Sequence, residues 1–510
     1  MDFIQNFPFF CIILSMFSGI ITFALKPRAA KWLHMCMVVL VFAMSLVTLL
    51  YCMNTGQSYT YTMGHYEAPW GNEIRVGALE ALMAVFFSLI MFFSVLGGMA
   101  HLDREIQNSK KNLFYIVLDL LMASLLALIY TNDLFTGYVF IEINTIAACG
   151  MIMIRKQGRT YVSAIRYMVM SLIGSGLFLI GLSILYSITG QLLMSPAREA
   201  LAEIAAAGTY EVPVLVITIL ITVGLGIKSG LYPFHTWIPD AYGYTTPSCS
   251  AILSSLVSKG YIFLLIKIFC RVFGLESVVS SNIVNIVFIF ALIGMIMGSI
   301  SAIRENNIRR MTAYSSVAQI GYIYMGIGLG TTAGLVAALF HVISHGAMKS
   351  LLFISISGLS DASGGKTDFH SLRGAGFRNK IAGAAWTVGA LSMVGMPLLT
   401  GFVSKYLFAS AATTADTVKM ISAWIVLAVS TVLNAVYFMR TVLTIYRPQT
   451  AADEQEDAAP VQTAAPPLPK TGSELAEIVG VIGLALLNIA LGVASQPVIE
   501  AIRLGLSVFD

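Results

Sequence analysis

An all-α, polytopic membrane protein is the fold class this sequence predicts, and three observations carry it. Only 11% of its 510 residues are charged and 57% are hydrophobic, against roughly 25% charged in an ordinary soluble domain. Apolar runs of about twenty residues recur from Phe3 to the C-terminus, each long enough to cross a hydrocarbon core of roughly 30 Å. The Lys and Arg residues between those runs alternate in density, as loops on opposite sides of a bilayer do. In hydrocarbon each segment must satisfy its own backbone, so helix is the conformation open to a loop-connected chain.

About fourteen spans follow, at roughly 3–25, 32–52, 76–99, 112–131, 133–154, 161–189, 211–239, 246–272, 280–303, 308–329, 331–358, 381–411, 418–446 and 474–497. The opening MDFIQNFPFF lacks the basic n-region and small-residue cleavage site of a signal peptide, so the first run is expected to stay as a helix. Residues 1–111 form an N-terminal three-helix segment. Two five-helix groups come next, 112–272 and 280–446, and the seventh and twelfth spans hold Pro233 and Pro397. Proline removes a backbone donor and clashes with the preceding turn. Broken helices at matching positions of two halves point to inverted repeats and a transport site, here pairing spans 4–8 with spans 9–13. The Pro/Ala-rich, acidic stretch 447–473 has nothing to bury and reads as a flexible cytoplasmic linker. A C-terminal helix completes the chain within 474–510.

One set of loops carries Lys26, Arg28 and Lys31; Arg104, Lys110 and Lys111; Arg155, Lys156 and Arg159; Arg304, Arg309 and Arg310; Lys366, Arg373, Arg378 and Lys380; Arg447 and Lys470. The opposite set has Arg75, Arg198, Arg271 and Lys419, with Arg503 in the tail. The positive-inside rule then predicts both termini outside a cell membrane. The net charge of +4 is small and dispersed, so nucleic acid is not an expected partner. Six cysteines without a CxxC pair support neither a disulfide framework nor a zinc or iron–sulfur site, and no cofactor or metal is expected.

A small set of ionisable residues remains inside the spans: Glu142, Lys228, His235, Lys259, His341, His345, Lys349 and Lys405. A charge at mid-bilayer costs about 2.5–3.5 kcal/mol on insertion scales, so it persists only when paired, hydrated or useful. Burial disfavours a charged lysine and a carboxylate restores it, which lets such a lysine take up and release a proton. His341, His345 and Lys349 are spaced i, i+4, i+8 and share a helix face. Taken singly, each could instead make a helix–helix hydrogen bond. For Lys267, Arg440 and Arg166 the expectation is snorkelling to an interface. A metal held by His341 and His345 is disfavoured because no carboxylate accompanies them and Lys349 repels a cation. One glutamate with four mid-span lysines has the composition of a proton relay.

The stretches TNDLFTGYVFIEI, GIKSGLYPFHTWIPDAYGYTTPSCSAILSSLVSKGYIFLL and RRMTAYSSVAQIGYIYMGIG through FHVISHGAMKS to GMPLLTGFVSKYLF resemble the antiporter-like subunits of respiratory complex I, group 4 membrane-bound hydrogenases and Mrp-type multisubunit cation/proton antiporters. The similarity covers nearly the whole chain. It implies that Glu142 pairs with Lys228 on broken helix 7, that Lys259 bridges, that His341, His345 and Lys349 relay, and that Lys405 on broken helix 12 faces the exit. It also implies other membrane subunits as partners and protons, with sodium a second candidate, as the ions moved. Length and span count fit the D-type member of the Mrp antiporters and its counterparts. The rival expectation is a non-conducting scaffold subunit of the same kind of complex. No flavin, haem or nucleotide signature supports redox chemistry of its own.

Overall fold

The computed structural model describes residues 3–63, 66, 71–448 and 472–509. Most of the expected linker, 449–471, lies outside the described residues. Among the described residues, twelve helices are long and apolar enough to cross a membrane. They are α1 (Phe3–Ala24), α2 (Pro27–Thr55), α3 (Ala78–Gly97), α4 (Asn108–Tyr130), α5 (Leu134–Met153), α6 (Gly158–Thr189), α7 (Glu211–Tyr244), α8 (Pro247–Phe273), α9 (Ile283–Arg304), α11 (Thr332–Asp361), α13 (Thr417–Ile445) and α14 (Glu474–Val493). The other two expected spans are α10 (Ile308–Gly328) and α12, which is split into Lys380–Val394 and Thr400–Ala412.

Burial explains why α10 is less apolar than the rest. Its Ser315, Ser316 and Gln319 meet other helices rather than lipid, and all three are buried. Helices α8 and α11 are buried along their apolar stretches and form the centre, whereas α1, α2, α6, α9, α13 and α14 leave much of their surface open and form the rim. Large exposed apolar side chains on the rim, such as Ile165, Ile180, Ile289 and Val432, are what a hydrocarbon solvent favours.

Both interrupted helices end in the same way. The Gly230 amide meets the carbonyls of Gly226 and Ile227, and Leu231 N donates to Gly226 O. At the other break Gly395 N meets Leu391 O and Ser392 O, and Met396 N donates to Leu391 O. Gly230 and Gly395 sit at φ 82° and 97°, the left-handed region that glycine enters without a Cβ penalty. The helices therefore stop at glycine, and Pro233 and Pro397 only prevent the chain from resuming helix at once. After Gly230 the chain restarts through a turn at Phe234–Trp237 into a short helix, Ile238–Tyr244. Trp237 Nε1 adds a second donor to the Ile227 carbonyl at 3.4 Å.

Several features were not foreseen. An antiparallel hairpin, β1 (Tyr59–Thr62) with β2 (Glu73–Val76), lies between α2 and α3. A surface helix, Met194–Ala206, joins α6 to α7. Another helix, Gln496–Ser507, follows α14 and packs on α3. The expectation that Lys267 snorkels is overturned: it is fully buried and donates to the carbonyls of Ile129 and Thr131 at the end of α4. Arg271, expected in a loop, is buried too. It pairs with Glu80 at 2.5 Å and donates to Phe509 O at 3.0 Å. Arg440 binds the carbonyls of Ile303 and Glu305 at the end of α9, while Arg166 reaches the surface as expected.

Candidate functional site

Small residues bring the site's helices together. The backbones of Gly174 on α6 and Gly224 on α7 touch so closely that a Cβ on either would lie within 2.7 Å of the other's carbonyl oxygen. That approach delivers Lys228, in the last turn of the first half of α7, into fully buried space. A lysine there also faces the negative end of its own helix.

Lys228 Nζ lies 3.6 Å from Glu142 Oε1 and donates a 2.7 Å hydrogen bond to Thr145 Oγ1. Glu142 and Thr145 are one turn apart on α5, so the ammonium faces two acceptors on one helix face. The shorter contact goes to the hydroxyl, and Glu142 Oε1 keeps a lone pair unmet by protein. The Tyr261 ring lies 5.4 Å from Nζ. Tyr261 is held in turn by Asn144 at 2.9 Å, and Asn144 donates to Ser124 at 3.0 Å. Nothing in the sequence singles out Thr145, one hydroxyl residue among several on apolar helices.

Lys259 follows a π-helical turn, Leu253–Val257, in α8. Its ammonium folds back onto the Ser254 carbonyl and onto Ser258 Oγ, the latter at 3.1 Å. Among the described residues no hydrogen bond joins it to Lys228 or to the histidines.

On α11 the i, i+4 spacing works as expected. The rings of His341 and His345 stack with centroids 5.7 Å apart and planes inclined by 8°. His341 Nδ1 lies 2.6 Å from Ser404 Oγ, which ties α11 to the second half of α12. Lys349 donates to the Thr312 carbonyl at 2.6 Å and to Ser315 Oγ. Both ring nitrogens of His345, Nε2 of His341, Nε2 of Gln319, Oγ of Ser344 and Oγ1 of Thr400 are buried with no protein partner. Unsatisfied buried polar atoms call for water, and these lie on three neighbouring helices, α10, α11 and α12.

Lys405, half-buried, donates at 2.6 Å to the Val394 carbonyl, the last before the break in α12. A Cβ on Gly395 would come within 3.0 Å of its side chain, so glycine there serves both the turn and the lysine. His235 stacks on Tyr232 beside the other break and makes no hydrogen bond through Nδ1.

A second buried cluster lies apart from this row. Asp119 on α4 takes His34 Nδ1 at 2.5 Å and Ser18 Oγ at 2.8 Å, and all three residues are buried. Among the described residues no three His, Cys, Asp or Glu side chains converge as metal ligands would.

Residues 131–433 match the family model described as NADH:quinone oxidoreductase/Mrp antiporter, TM. The N subunit of the NADH-quinone oxidoreductase of Desulforudis audaxviator is 32% identical over 432 residues, 82% of each chain. The D subunit of the Na(+)/H(+) antiporter of Bacillus subtilis is 25% identical over 68% of each. Among solved structures, a chain of the Mrp complex from Dietzia sp. superposes with a TM-score of 0.86 at 21% identity, covering 100% of this chain and 98% of that one. A chain of the archaeal membrane-bound sulfane sulfur reductase gives 0.85 at 23% identity, with the same coverage.

Proposed function

Because this chain belongs to the NADH:quinone oxidoreductase/Mrp antiporter membrane family, we propose that it is an ion-translocating, antiporter-like subunit of a multisubunit membrane complex. The ion is the proton, with sodium a second candidate. The observation that carries the reading is the pairing of Lys228 with both Glu142 and Thr145 at the mouth of a broken helix. A buried ammonium with two alternative acceptors can change partners over a short distance. Withdrawing Glu142 from 3.6 Å to about 8 Å at an effective dielectric near 20 removes about 2.5 kcal/mol of attraction. That is more than a tenfold change in how firmly the lysine holds its proton.

Lys259, His341, His345 and Lys349 continue the row, Lys405 ends it, and the unsatisfied atoms around the histidines support a water-bridged relay. The alternation of Lys and Arg supports fourteen crossings in a cell membrane with both termini outside. The paired breaks at Gly230 and Gly395 support two inverted halves, 112–272 and 280–446, flanked by the N-terminal segment 1–111 and the C-terminal helix. The structural neighbours are chains of multisubunit assemblies, which supports other membrane subunits as partners.

The test is transport in inverted membrane vesicles with a pH-sensitive dye, beside recovery of the intact complex. Lys228→Ala and Glu142→Ala are each expected to abolish transport while the complex still assembles. Normal transport in both variants would overturn the reading in favour of a non-conducting scaffold.

A further inference from the structure

We propose that the polar end of α6 is a binding site for the head group of an anionic phospholipid. At that end, on the face that carries most of the Lys and Arg loops, a cleft of about 360 Å³ opens between α6 and the short helix that closes α7. Its walls include Gly158, Arg159, Ser163, Arg166, Asp240 and Tyr244.

The charge around it is biased. Arg166 and Arg310 both grip Asp240, and Arg310 also pairs with Glu305 at 2.9 Å. Arg159 adds an exposed cation on the cleft wall. Three cations, Arg159, Arg166 and Arg310, therefore face two carboxylates, so the cleft attracts anions despite Asp240 on its wall. The Tyr244 ring lies 5.4 Å from the Arg159 guanidinium carbon and 5.6 Å from that of Arg310, so both guanidinium planes are held in place. A Cβ on Gly158 would meet nothing within 4 Å. The approach to Gly158, the first residue of a 32-residue helix, is thus open, while the Thr160 and Tyr161 amides behind it are already taken by the Gln157 carbonyl.

Helical spacing singles out a lipid rather than a free anion. Arg159, Val162, Arg166, Val169 and Ile173 follow one another at i, i+3, i+7, i+10 and i+14, forming a single stripe along α6. Val162, Val169 and Ile173 are about half exposed, and Arg166 is exposed at the surface. The stripe is cationic at its polar end and apolar below, which is the profile of a phosphodiester with an acyl chain running down from it.

The site shares the interrupted helix α7 with Lys228. Asp240 lies on the helix that restarts after the Gly230 break, so a phosphate that draws Arg166 away loosens the grip on that helix.

Native mass spectrometry of the detergent-purified complex, exchanged into phosphatidylglycerol or phosphatidylcholine, tests the proposal. Phosphatidylglycerol is expected to stay bound and phosphatidylcholine to wash away. Arg159→Gln, an exposed position, and Arg166→Gln are each expected to weaken phosphatidylglycerol binding about tenfold, the scale of one lost charge-assisted hydrogen bond. Equal retention of both lipids, or no effect of either substitution, would overturn the proposal. Competition by millimolar inorganic phosphate as effective as that by phosphatidylglycerol would assign the cleft to a free anion and overturn it. So would carbodiimide cross-linking, in the assembled complex, of an Arg159→Lys variant to a carboxylate of another subunit.

Discussion

At Lys228 the hydroxyl of Thr145, not the carboxylate of Glu142, makes the shorter contact. If the lysine alternates between the two, the hydroxyl is as necessary as the charge. Thr145→Val is expected to cut transport about tenfold, and Thr145→Ser to retain it, since one hydrogen bond to a charged group contributes about 1.5–3 kcal/mol. Vesicle transport assays on both variants decide this, and equal rates would remove Thr145 from the mechanism. Glu80 and Arg271 are a different case, because nothing in their setting calls for movement. Removing one partner strands the other, at about 3–5 kcal/mol. Glu80→Leu is therefore expected to lower the yield of folded protein, and Glu80→Leu with Arg271→Leu to recover it; size-exclusion profiles report the difference. The row of mid-span charges was legible because a charge in an apolar run stands out. Thr145 and Ser404 were not, since hydroxyl residues are common in helices and only contact distances give them a role. Lys267 was misread for a related reason: nothing in its flanking residues reveals that two carbonyls at the end of α4 lie within reach.

Helices were easier to read than their interruptions. The sequence expectation put both breaks at proline, whereas the observed turns form at Gly230 and Gly395. A glycine before a proline has no unique meaning in sequence; here its positive φ and its open side toward Lys405 give it one. Gly395→Ala is expected to force a strained residue, at about 1–2 kcal/mol, and to push Lys405 off the Val394 carbonyl. Transport should fall more than protein yield, and a proportional loss of both would show that the break is only structural. The hairpin escaped notice because YTYT and EIRV are short and the Gly, Pro and Asn residues between them read as loop. The surface helix Met194–Ala206 is likewise too short and too mixed in polarity to register as a span.

Across the whole molecule, α14 is fastened far from its neighbour in sequence. It packs on α3, α11 and α12 rather than on α13. His101, in the short helix after α3, bonds Asp361 at 3.0 Å and faces Glu477 of α14 at 3.6 Å. Burial opposes a charge on His101, but the two carboxylates outweigh it and lift its pKa from 6.5 to about 9. A raised folded-state value stabilises the protein fully below pH 6.5, and that contribution is lost as pH rises through about 9. Asp361 is more than a third exposed, so solvent screening holds the effect to about 1 kcal/mol. Thermal stability should therefore decline between pH 7 and pH 10 in the wild type and change less in His101→Gln, as melting curves across that range would show. The general architecture was readable from hydropathy and loop charge alone. This attachment was not, because it joins residues from opposite ends of the sequence.

The backbones of Gly97 and Gly480 meet within van der Waals distance, so α3 is completed by α14, far along the sequence. During biogenesis α3 must wait, one face uncovered, until nearly all of the chain has been inserted. The insertion machinery or a neighbouring subunit has to shield that face in the interval. It follows that α14 and the short helix after it can arrive as a separate molecule: residues 472–510, co-expressed with 1–448, should co-purify with it and restore what the shortened chain lacks.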